Sequence, residues 1–100
     1  MDKVKYEPVV NDIVYVRNDA GQITMYKVCK FIAASELYII NRNGYLWEFE
    51  TFLEHIDGEV VLIMRDRSCV FESKEGEIEF VVPKKEVYGY VRTRNDFQYR

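Results

Sequence analysis

The chain has 100 residues, 48% of them hydrophobic and 15% aromatic, with 5 glycines and 2 prolines, which excludes a disordered, low-complexity or collagen-like polypeptide and predicts one compact β-rich domain over residues 1–100. The formal net charge of -3 excludes a global basic field of the kind that holds DNA non-specifically, so any nucleic-acid contact must rest on a local patch. The 2 cysteines, Cys29 and Cys69, are too few for a small secreted disulfide scaffold and read as buried reduced thiols, with one bridge between the two halves as the alternative.

Met1 to Pro8 is a polar lead-in without an apolar signal-type run, and no later run approaches the ~18 residues of a membrane span. A cytoplasmic location without a membrane partner is expected. Asp12-Ile13-Val14-Tyr15-Val16-Arg17 reads as the first strand, closed by the turn signal Asn18-Asp19-Ala20-Gly21. The run from Ile23 to Ile32 is long enough to bend, with Ile23, Met25, Cys29 and Phe31 on one face and Tyr26, Val28 and Ile32 on the other, both partly buried. Leu37-Tyr38-Ile39-Ile40 makes a third strand, and Asn41-Arg42-Asn43-Gly44 turns the chain into a fourth beginning at Tyr45-Leu46-Trp47.

The period then changes. Phe49, Phe52, Leu53 and Ile56 lie at i, i+3, i+4 and i+7, which predicts one short helix over about residues 48–56 that ends at Asp57-Gly58. Val60 to Met64 resumes as a nearly continuous apolar strand, Asp66-Arg67-Ser68 turns, and Cys69-Val70-Phe71-Glu72 returns. In Glu77-Ile78-Glu79-Phe80-Val81-Val82 and in Val87-Tyr88-Gly89-Tyr90-Val91-Arg92-Thr93-Arg94 side-chain type alternates residue by residue. Ile78, Phe80 and Val82 share an apolar face with Val87 and Val91 as counterparts, and Glu77, Glu79, Tyr88, Tyr90, Arg92 and Arg94 fall on the other. Connections this short favour a mainly β fold, an antiparallel meander that forms either a strongly bent sheet or a small SH3-like barrel, carrying one short helix.

Little catalytic chemistry is available. The only histidine, His55, falls outside the apolar helix stripe and reads as a solvated position, and no serine has a glycine-flanked elbow. Neither a C-x-x-C nor an H-x-x-x-H pair occurs for a metal, and there is no Gly-rich phosphate loop. No cofactor and no catalytic residue is assigned. Carboxylates cluster around the helix (Glu48, Glu50, Glu54, Asp57, Glu59) and the later strands, and read as solvated charge or part of a partner-binding face.

Two groups of residues are candidates for binding. In the row Tyr88, Tyr90, Arg92, Arg94 the aromatic rings offer stacking area and the guanidinium groups pair with phosphates or carboxylates. Cross-strand ion pairing of Arg92 and Arg94 with Glu77 and Glu79 is the competing reading. Tyr45-Leu46-Trp47-Glu48-Phe49 also alternates, bringing Tyr45 and Trp47 together with Phe49, and a lone Trp in a small β domain forms either core or interface.

Val10-Asn11-Asp12-Ile13-Val14-Tyr15-Val16, with the long second strand and the two after it, resembles SH3-like barrels of the Tudor and KOW type over about residues 9–50. The resemblance implies binding of peptides or nucleic acid through aromatic loop residues, although no aromatic cage can be assigned. A second resemblance, through Asn11-Asp12-Ile13-Val14-Tyr15, Thr24-Met25-Tyr26-Lys27-Val28 and Val82-Pro83-Lys84-Lys85-Glu86-Val87-Tyr88-Gly89-Tyr90-Val91, is to the β-fold of signal-peptidase and LexA-like serine peptidases. Lacking the Ser-x-Met nucleophile segment, the chain would be a catalytically dead relative. The expectation is a non-enzymatic binding module acting on another protein, a small accessory or inhibitor protein of the kind phage or mobile elements encode. The alternative is a nucleic-acid-binding β-barrel that uses the Tyr/Arg strip, and self-association through an edge strand fits either.

Overall fold

The computed structural model describes residues 3–82. Its strands are β1 (Lys3–Tyr6), β2 (Ile13–Arg17), β3 (Ile23–Ile32), β4 (Leu37–Arg42), β5 (Tyr45–Glu48), β6 (Glu59–Arg65), β7 (Ser68–Glu72) and β8 (Glu77–Phe80), with the helix α1 (Phe49–His55) between β5 and β6. Six strands form one antiparallel sheet in the order β5-β4-β3-β2-β6-β7, and β1 pairs with β8 in a separate parallel ribbon. The fold is mainly β with one short helix. The sheet is bent and does not close: among the described residues no ladder joins β5 to β7, so of the two expected forms the bent sheet is the one adopted.

The bend has identifiable causes. Register shifts fall between Tyr15 and Val16 on the β2–β6 ladder, between Val28 and Lys30 on β3–β4, and between Ile63 and Met64 on β6–β7. Each leaves one residue unpaired, Val61, Cys29 and Val70 in turn, and an extra residue of this kind kinks its strand and increases the local twist. The bulge at Val70 also reverses side-chain parity. Phe71, opposite Ile63, is buried, whereas Cys69, opposite Met64, is thrown to the other face and is exposed. The expectation of two buried thiols is therefore corrected: both cysteines are free, and only Cys29 is partly covered. Burial raises the pKa of the Cys29 thiol.

Tight turns set the hairpin registers. Asn43 and Gly44 have φ of 52° and 89°, the left-handed pair that matches strand twist, and the Asn41 side-chain oxygen accepts the Gly44 N–H at 2.8 Å. The β6–β7 turn uses Asp66 and Arg67 with φ of 52° and 69°. A left-handed arginine costs ~1 kcal/mol that glycine avoids. Arg67→Gly is accordingly expected to raise stability by up to about 1 kcal/mol in urea denaturation; unchanged or lower stability would show that contacts of the Arg67 side chain outweigh the strain.

The core lies between the inner sheet face, α1 and the β1–β8 ribbon. Val14, Val16, Val28, Ile40, Ile63 and Phe71 from the sheet meet Phe49 and Phe52 from α1 and Tyr6 from β1. Tyr6 and Phe80 meet edge to face with centroids 5.8 Å apart, and Phe49 lies 5.9 Å from Phe80 and 5.7 Å from Phe52. On the opposite sheet face Leu37 and Ile39 form a second cluster with Cys29, Ile32 and Leu46, so the later part of β3 buries residues on both faces. Ile23 and Met25 at its start, and Phe31 near its end, are exposed, so on the face expected to be partly buried only Cys29 is covered in part.

The lead-in is also corrected. Lys3–Tyr6, read as polar coil, is a strand parallel to β8, with Val4 opposite Ile78 and Tyr6 opposite Phe80. On this side Glu77 and Glu79 therefore stand opposite Lys3 and Lys5. The strand expected over residues 87–94 lies outside the described residues. No helix among the described residues is long and apolar enough to cross a membrane.

Candidate functional site

The β4–β5 hairpin and α1 enclose an open pocket of about 100 Å³ lined by Tyr26, Arg42, Tyr45, Trp47, Phe52, His55 and Ile56. Strand pairing places four of these. Tyr45 stands opposite Arg42 and Trp47 opposite Ile40. Tyr26, preceding the Lys27 that faces Asn41, comes beside Arg42, whose guanidinium carbon lies 5.9 Å from the Tyr26 ring centroid. The helix supplies the other wall, since Phe52, His55 and Ile56 fall within one turn of one another. Phe52 packs on Tyr26 at 4.6 Å between centroids, and the His55 ring lies 6.2 Å from the Trp47 ring, tilted by 33°.

The walls are largely apolar, and the one charged group on them is the Arg42 guanidinium, a pure donor. Arg42 has no carboxylate within ion-pair distance among the described residues. The ring contact with Tyr26 is a weak cation–π interaction that leaves the guanidinium N–H groups available. His55 Nδ1 lies 2.9 Å from the Thr51 carbonyl oxygen; a carbonyl only accepts, so Nδ1 carries the proton and Nε2 is the free nitrogen. Trp47 is partly buried, yet among the described residues its indole N–H has no acceptor, and it is not sealed from solvent. Tyr45 is 73% exposed.

Of the residues singled out in the sequence, Tyr45 and Trp47 meet in this pocket. Tyr88, Tyr90, Arg92 and Arg94 lie outside the described residues. Tyr26, Arg42, Phe52 and His55 were missed as site residues. The sequence signal for Tyr26 and Arg42 was their position on neighbouring strands, readable once the Asn43-Gly44 turn fixes the register. His55, read as a solvated helix position, is exposed as expected but stacks beside Trp47.

A second polar cluster is structural. The Asp12 side chain is fully buried and accepts four hydrogen bonds: from the Tyr6 hydroxyl at 2.7 Å, the Val9 N–H at 3.0 Å, and Arg65 Nε and Nη2 at 2.9 and 3.0 Å. Arg65 Nη2 also donates to the Glu7 carbonyl at 3.1 Å. Burial, and then the hydrogen bond to Asp12, pushes the Tyr6 hydroxyl well above its ordinary range, so it stays a donor. The forked pairing with Asp12 likewise raises Arg65. With three hydrogen bonds at Oδ2, one at Oδ1 and no exposed surface, the carboxylate is committed to the fold and closed to a substrate. Among the described residues no group of three or more His, Cys, Asp or Glu could hold a metal ion.

No family model matches the chain, and neither a curated protein nor a solved structure matches it. Fold and site therefore define it as a bent-sheet β domain with an aromatic-walled surface pocket that carries one arginine.

Proposed function

We propose that the protein is a non-catalytic binding module for another protein, an accessory or inhibitor protein that engages its partner through this pocket. The observation that carries the reading is the convergence on one open pocket of Tyr45, Trp47 and Tyr26 with Arg42, which has no carboxylate partner among the described residues. Exposed aromatic and arginine side chains are the types that dominate protein–protein binding energy. A pocket of about 100 Å³ has room for one large side chain, which suits an anchor residue presented by a partner. Nucleic acid is the competing occupant, because Trp47 and Tyr45 could stack bases while Arg42 holds a phosphate. The net charge of -3 opposes it, since such binding draws on many cations along the backbone.

The test is affinity capture with the wild type and with Arg42→Ala/Tyr45→Ala, both changes being at exposed positions, with and without nuclease. A protein retained through nuclease by the wild type and lost by the variant is the expected result. Captured material that disappears with nuclease, or capture equal in both, would overturn the reading.

A further inference from the structure

We infer that the pocket accepts an acidic peptide segment, in which an aromatic or branched apolar side chain enters between Tyr45, Trp47 and Phe52 while a neighbouring carboxylate pairs with Arg42. The inference rests on the protein-binding reading and specifies its ligand. Three features of the pocket point the same way. First, two donors at its walls await acceptors: among the described residues the Arg42 guanidinium has no carboxylate of its own and the Trp47 N–H has no acceptor. A ligand that supplies acceptors there satisfies both, and a planar carboxylate matches the guanidinium fork.

Second, a cationic ligand is disfavoured. Aromatic walls can cage an ammonium group, but here the Tyr26 ring already has Arg42 against it at 5.9 Å, and a second cation would meet like charge where it would need an open ring face. Third, the pocket is short of cations for nucleic acid. Arg42 is the one Lys or Arg among the described residues that line it. One carboxylate beside one apolar side chain is matched by one guanidinium beside one apolar pocket; a chain with a phosphate at every nucleotide is not.

The probe is a phage-displayed library of random linear peptides, selected against the full chain and counter-selected on Tyr45→Ala alone. A synthetic peptide of the enriched sequence would then be titrated against the fluorescence of Trp47, the 1 tryptophan in the chain. Enriched peptides are expected to place Asp or Glu within about two residues of Phe, Tyr, Trp or Leu, a spacing that an extended chain spans along a strand edge. Binding should weaken about tenfold in Arg42→Gln, and by a similar factor when the peptide carboxylate becomes an amide. Peptides that depend on Tyr45 but carry no acid, or bind Arg42→Gln equally well, would overturn the acidic assignment and leave the protein-binding site standing. No Tyr45-dependent enrichment, or tighter binding of an oligothymidylate than of the peptide, would overturn both.

Discussion

Replacing Asp12 by asparagine should cost about 3 kcal/mol, the low end of the loss expected when one partner of a buried ion pair is removed, because Asp12 is fully buried but the Arg65 side chain is 38% exposed. Four donors converge on the carboxylate. An amide of the same shape accepts only through its oxygen: with its NH2 group in place of Oδ1 it faces Arg65 Nε, in place of Oδ2 it faces the other three donors, and either way a donor is left unsatisfied and Arg65 without its counter-charge. The effect reaches beyond one side chain, because the network ties together separate parts of the fold. Tyr6 and Glu7 belong to the ribbon side, Asp12 leads into β2, and Arg65 ends β6. Backbone bonds anchor the same turn to β3, from the Asn11 N–H to the Val28 carbonyl at 2.6 Å and from the Val28 N–H to the Asp12 carbonyl at 2.9 Å. Domains of this size unfold with a total of about 5–15 kcal/mol, so Asp12→Asn should lower Tm by about 15 °C or more. Tyr6→Phe removes one donor of four and leaves the charge paired, and should cost only about 1–2 kcal/mol. Thermal denaturation of both variants decides the matter: a loss for Asp12→Asn no larger than that for Tyr6→Phe would mean that the ionised carboxylate does not hold the layers together.

That network also marks the limit of what the sequence discloses. Local pattern was enough for β2 to β5, for α1 and for β6 to β8, because each is a run of one clear period bounded by turn residues. It failed at β1, where Lys3, Val4, Lys5 and Tyr6 alternate over only 4 residues and the parallel partner lies across the whole domain. It failed again at the bulges: one unpaired residue at Val70 moves Cys69 from one face to the other, and no residue type announces it. Asp12 and Arg65 look like ordinary strand-end charges until β2 and β6 pair. The pocket was half legible. Tyr45 and Trp47 declared themselves by alternation, but Arg42 gains its meaning from the two aromatic neighbours that strand pairing gives it, and His55 from a helix that folds back over β5.

Gly58→Ala should be more damaging than the same change at Gly21 or Gly44, at about 2–3 kcal/mol, because two independent penalties fall on one residue. Its φ of 136° is a conformation that side-chain-bearing residues rarely adopt, and an added Cβ would land on the Arg17 carbonyl, with the Asn18 Cα 2.9 Å away. These are backbone atoms at the end of β2, so no rotamer change relieves the overlap. Gly21, with φ of 86° and nothing within 4 Å of an added Cβ, carries only the conformational term, about 1 kcal/mol. The extra cost at Gly58 has a structural destination. Gly58 lies between the helix cap at Ile56 and the first residue of β6, and Glu59 beside it pairs with Arg17 in the ladder and by an exposed ion pair of 2.8 Å. Such an ion pair contributes under about 1 kcal/mol and cannot hold the segment against the clash, so relief must come from displacing the exit of α1. That movement carries His55 and Ile56, two walls of the pocket, away from Trp47. Gly58→Ala is therefore expected to shift Trp47 emission and weaken peptide binding while the protein is still folded, and Gly21→Ala to do neither. Equal stability losses with unchanged emission in both would show that the chain accommodates the Cβ by moving the β2–β3 turn and not the helix.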